Sequence, residues 1–166
     1  PAGKTPLTIN LDETSVCLFP GIAKGTVFVS KRAGAVLKVS SRTKLRTCLT
    51  HVSFICNMPH LQPLLPQIII GNEATFPKKI FDTLKATCPA NTYLLRQTSA
   101  WNNIDTCVYI VRLLSIALRE HMGELQPILC LDACRLHFAE KVITACTELG
   151  IWPLIIPAKM TGLLQP

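Results

Sequence analysis

Apolar residues recur along this chain in two rhythms, which divide it into strands and helices. LTINLDET (7–14) alternates apolar and polar positions up to Asp12, the period-two signature of a strand with one buried face. The same reading predicts strands over TVFVSK (26–31), TCLTHVSFICN (47–57), LLPQIIIG (64–71), TYLLRQT (92–98), PILCLD (127–132) and IWPLIIP (151–157). The stretch 33–46 is basic, has no clean period and reads as partly loop.

Helical spacing appears three times. Over 76–86, Ile80, Phe81 and Leu84 share a face. Pro77 suits the first turn, where no backbone N–H is needed, and Pro89 blocks continuation. Over 103–121, Ile104, Cys107, Val108, Val111, Leu114 and Leu118 repeat at helical intervals. Ile110, Leu113 and Ile116 widen that stripe, which predicts a largely buried helix. Asn102 or Asn103 can cap its start, and Gly123 ends it. A third helix is predicted over 137–149, with Phe138, Val142, Cys146 and Leu149 facing inward and Gly150 as the stop. A run of strands followed by strand–helix alternation predicts one α/β domain over 1–166, with a mixed sheet and helices on its faces.

Composition narrows the classes. With 166 residues, 49% apolar and 16% charged, the chain can bury a real core and does not resemble a disordered segment. No apolar run approaches the roughly 20 residues of a membrane helix, so no membrane partner is expected. A net charge of +7 fits a polyanionic partner without requiring one. Lys31, Arg32, Lys38, Arg42, Lys44 and Arg46 fall in one stretch, which is either a phosphate-contacting surface or an ordinary solvated face. The eight cysteines lack the paired spacing of a small secreted scaffold. Several sit inside apolar patterns, so free thiols and a reducing compartment are expected.

The candidate chemistry rests on two carboxylates. Asp12 and Asp132 each close an apolar strand. A carboxylate at the C-terminal end of a strand in an α/β sheet is a common ligand position, and Mg²⁺ takes one or two such groups together with water and phosphate. An Asp at a strand end also serves as a turn or helix cap, so each residue alone has two readings. Glu13 is the weaker ligand candidate. Cys130, Cys134 and His137 lack the second half of a four-ligand zinc site, and no Gly-rich phosphate loop is present.

Five segments then fall into a known order: NLDET (10–14), HVSFICNMPHLQPLLPQIIIG (51–71), SAWNNIDTCVYIVRLL (99–114), LCLDACRLHF (129–138) and IIPAKMTGLLQP (155–166). Together they resemble the catalytic core of the pogo/Tigger branch of the mariner-like DDE transposases. This is the DDE superfamily endonuclease domain also found in centromere protein B-like proteins. Each block is short; their order and spacing over nearly the whole chain carry the resemblance. One departure is Ala133-Cys134-Arg135, where family members often have Asn after the second Asp.

The resemblance implies an RNase H-like mixed sheet with helices on both faces, and metal-dependent cleavage and joining of DNA strands. It implies that Asp12 and Asp132 are the catalytic carboxylates and ligands of Mg²⁺ or Mn²⁺, with two ions in a complete site. DNA contacts are then expected from Lys31, Arg32, Arg42, Lys44 and Arg46, and from Arg135 and His137 beside the second Asp. A third acid is expected just past Gln165-Pro166, so the sequence reads as a piece that is catalytically incomplete. Assembly of more than one copy on DNA and a nuclear location come with the family. A second reading is a domesticated, transposase-derived DNA-binding protein that has lost catalysis.

Overall fold

The computed structural model describes residues 3–17, 48–74 and 76–157. The strand expected over 26–31 and the basic stretch 33–46 lie outside them. The first strand, β1 (Thr5–Cys17), pairs antiparallel with β2 (Cys48–Cys56), which pairs antiparallel with β3 (Gln67–Asn72). Helix α1 (Lys78–Thr87) then leads to β4 (Thr92–Gln97), parallel to β3. Helix α2 (Ile104–Ala117) crosses back to β5 (Leu125–Asp132), parallel to β1, and α3 (Glu140–Glu148) leads to β6 (Trp152–Ile156), parallel to β5. The six-stranded mixed sheet has the order β4-β3-β2-β1-β5-β6.

This order assigns the helices to faces. Strands β3 and β5 point the same way, but β3 steps outward to β4 on one side and β5 to β6 on the other. Parallel crossovers are right-handed, so α1 lies on the face opposite α3. Helix α2 makes its step in the same sense as α3, and the two pack together.

One core lies under α2. Cys107, Ile110, Val111 and Leu114 of α2, with Leu118 just beyond it, are fully buried at helical spacing. They cover alternate residues of the sheet: Leu7, Ile9 and Leu11 of β1, Val52 and Phe54 of β2, Ile68 and Ile70 of β3, and Leu129 and Leu131 of β5. Fully burying each such side chain is worth about 1.5–3 kcal/mol, so this layer fixes which face of every strand is inward.

Local chemistry sets the element ends. Pro63 and Pro66 delay the start of β3: a 3₁₀ turn occupies Gln62–Leu64, and the strand begins at Gln67 rather than at 64. Pairing of β3 with β2 stops at Val52. Beyond it the Gln62 side chain serves the β2 backbone, donating to the carbonyl of Phe54 at 2.7 Å and accepting from the N–H of Cys56 at 2.9 Å. Helix α3 ends in a Schellman motif: the N–H of Ile151 donates to the carbonyl of Cys146 and that of Gly150 to Thr147, with Gly150 at φ 70°.

Expectations for all three helices change. Helix α2 ends at Ala117, short of the expected 121, with a 3₁₀ turn over Arg119–His121. Helix α3 starts at Glu140, not 137, and Phe138, expected in its inner stripe, is 56% exposed because it precedes the helix. The apolar face expected on α1 exists in sequence, but Ile80 and Leu84 are both exposed, and Phe76, just before the helix, does the packing. The Phe76 ring meets Phe81 edge-on at 5.8 Å and sits over Gly71.

A methyl group at Gly71 would lie 2.6 Å from Cδ1 of Phe76 and 3.2 Å from Cδ2 of Leu49. Gly71→Ala is therefore expected to destabilise the fold by about 1–3 kcal/mol through overpacking, measured by urea denaturation, with Phe76→Leu in the same chain recovering part of the loss. An unchanged midpoint for Gly71→Ala would contradict this packing.

Candidate metal centre

The strand register brings the two aspartates together. In the β1–β5 ladder Thr5 is opposite Leu125 and Asn10 opposite Cys130, a constant offset of 120 positions. Asp12 and Asp132 have that same offset, two residues beyond the last paired position. Leu7, Ile9 and Leu11 face the α2 core, as do Leu129 and Leu131. Alternation turns Asn10, Asp12, Cys130 and Asp132 to the other face. The two aspartates therefore share a register position and a face on neighbouring strands, just past the end of their pairing.

Their strand contexts differ. Asp132 is the last residue of β5, as expected, and pairs with Ile156 of β6. Asp12 is not at the end of β1: the strand continues to Cys17, held by antiparallel pairing to β2 in which Asp12 is opposite Ser53. It is the β5 side of β1 that stops before Asp12 and leaves the carboxylate at an open edge.

Each aspartate anchors one oxygen locally. Oδ1 of Asp12 accepts the N–H of Glu13 at 2.8 Å. Oδ1 of Asp132 accepts the N–H of Cys134 at 3.3 Å and bonds Nδ1 of His137 at 2.7 Å. The cap reading is thus realised in part, and it engages one oxygen of each carboxylate. Both residues remain accessible: Asp12 is exposed, and the Asp132 side chain is 46% exposed.

Glu13 points the other way. It accepts from Nδ2 of Asn102 at 2.5 Å, and this bond joins β1 to the start of α2. Asn103 caps that helix through the N–H of Thr106 at 2.9 Å. Below Asp12 on its own face, Asn10 is buried and its Oδ1 has no hydrogen-bond partner among the described residues.

His137 is only 2% exposed, so its ring serves Asp132 rather than an exposed surface. Arg135, in the same loop, is exposed beside the site. Lys31, Arg32, Arg42, Lys44 and Arg46 lie outside the described residues. The hard oxygen donors of Asp12 and Asp132 suit Mg²⁺ or Mn²⁺, but as a pair. Among the described residues no group of three or more His, Cys, Asp or Glu side chains is arranged to hold a metal.

Burial holds three of the described thiols in the protonated form. Burial, reinforced by the negative charge of Glu13, pushes Cys107 up to about 12, and burial pushes Cys146 up to about 11. Cys130 is raised by burial as well. At neutral pH these three thiols are uncharged packing groups. Cys134 is exposed. No helix among the described residues is long and apolar enough to cross a membrane.

No protein-family model, no curated protein and no solved structure matches this chain. The site therefore has to be judged on its own geometry.

The raised thiols make stability depend on pH. Their ordinary value is 9.0 and their folded values are near 12 and 11, so the folded state holds these protons more tightly. The stabilisation is complete below pH 9 and is lost as pH rises through the folded values. The expected slope is a fall of up to roughly 1.4 kcal/mol per pH unit for each thiol. Denaturant titrations from pH 8 to 11 should show this fall, and Cys107→Ala with Cys146→Ala should flatten it; equal slopes in both proteins would refute the assignment.

Proposed function

We propose that this chain is the core of a DDE transposase-like nuclease that cleaves and joins DNA strands with Mg²⁺ or Mn²⁺ at Asp12 and Asp132. The supporting observation is their shared offset: a 120-residue separation is also the register of two adjacent parallel strands, and both side chains fall on one face. A mixed sheet with helices on both faces is compatible with the RNase H-like architecture expected from the resemblance.

The chemistry suits such a site. Bound divalent ions polarise a phosphodiester and lower the pKa of an attacking water or hydroxyl. In this reading Asp12 and Asp132 hold the ions, and the backbone bonds to their Oδ1 atoms keep the carboxylates from turning away. Arg135, exposed three residues after Asp132, would supply a phosphate contact in this reading. The pattern calls for a third carboxylate following Gln165-Pro166. A nuclear location and assembly of several copies on DNA belong to the same reading.

A chain extended through that third acid is expected to nick DNA with Mg²⁺ and to lose nicking with Asp12→Asn or Asp132→Asn, read on supercoiled plasmid. Persistent nicking by both variants would refute the assignment. Salt-sensitive DNA binding without nicking, in an extended chain that carries the third acid, would favour the domesticated DNA-binding form.

A further inference from the structure

We infer that His137 is a positioning residue for Asp132: it holds the carboxylate by Oδ1, so that a divalent cation is taken through Oδ2 alone. This rests on the metal-binding reading above. The Nδ1 of His137 faces two oxygens of Asp132, Oδ1 at 2.7 Å and the main-chain carbonyl at 3.1 Å. An ionised carboxylate and a carbonyl only accept, so Nδ1 carries the proton and donates to both.

The N–H of Cys134 donates to the same Oδ1 at 3.3 Å. Two donors thus engage one carboxylate oxygen. The ring that supplies the shorter bond is 2% exposed, and its Nε2 is buried with no partner among the described residues. The polar anchoring of the ring among the described residues therefore runs through Asp132. Turning Oδ1 away would strip a buried N–H of its better acceptor, a loss that burial makes severe.

The turn from Asp132 to the start of α3 supports the same geometry. The N–H of His137 donates to the carbonyl of Cys134 at 3.0 Å, which folds the loop back and delivers the ring to the strand end. Asp12 uses its Oδ1 in the same way, on the N–H of Glu13. Each aspartate thus has its Oδ1 engaged by groups close to it in sequence, and Oδ2 is the oxygen that would turn to a cation.

The test is Mn²⁺ affinity of the 166-residue chain, measured by calorimetry and by the free-Mn²⁺ electron spin resonance signal. His137→Ala and His137→Gln are expected to weaken binding by about 10-fold or more, as losses of groups that orient a metal ligand do, whereas His137→Asn, whose amide N–H can occupy the Nδ1 position, should return it to within about 3-fold. Wild-type affinity in His137→Ala, or equal weakness in the Ala and Asn variants, would overturn the inference. If wild type itself binds no better than Asp12→Asn or Asp132→Asn, the metal reading fails and takes this one with it. Should the variants unfold, the imidazole ¹⁵N spectrum of the wild type decides: the Nδ1–H bond is expected to persist through Mg²⁺ saturation, and its loss would overturn the role.

Discussion

Everything at the candidate site hangs on the parallel pairing of β1 with β5. Its offset of 120 positions is what puts Asp12 and Asp132 at one register position on adjacent strands. That register is not set at the site. It is set by Leu7, Ile9 and Leu11 on one strand and Leu129 and Leu131 on the other, all fully or almost fully buried beneath α2. A slip of one residue would turn those side chains out of the core and move a carboxylate to the wrong face. The hydrophobic layer on one face of the sheet thus fixes polar geometry on the other.

Around that frame, short-range hydrogen bonds refine the orientation of each charge. Asp12 leans on the N–H of Glu13, Asp132 on Cys134 and His137, and Glu13 is drawn to Asn102 at the entrance of α2. Three acids near one strand end are therefore sorted into two that face outward together and one that ties the helix to the sheet. The neutral, buried thiols of α2 and α3 belong to the apolar layer on the opposite face of the sheet.

Most of the architecture was legible in the sequence because period and breakers speak directly to local structure. The centre of the α2 stripe, its Asn103 cap and the Gly150 stop follow from side-chain spacing and backbone chemistry, whereas Ile104 and Ile116 at the helix ends, expected in the stripe, are exposed. What was not legible depended on contacts distant in sequence. The continuation of β1 to Cys17 requires β2 as a partner. The exposure of Ile80 and Leu84 on an amphipathic α1 depends on how the helix sits over the sheet, which periodicity does not report. Phe138 matched the helical stripe of α3, but the turn after Asp132 occupies those residues first. His137 carried a hint, an imidazole shortly after an aspartate, yet its burial and its bond to Asp132 required the loop itself.

The central claim is that Asp12 and Asp132 together receive one divalent ion or ion pair. Paramagnetic broadening by substoichiometric Mn²⁺ in a ¹⁵N-labelled chain tests it most directly. The account expects amides around Asp12 on β1 and around Asp132–Cys134 to broaden together and first, and to stay sharp in either Asp→Asn variant. Broadening at only one of the two strands, or centred on Glu140 and Glu148 of α3, would contradict it.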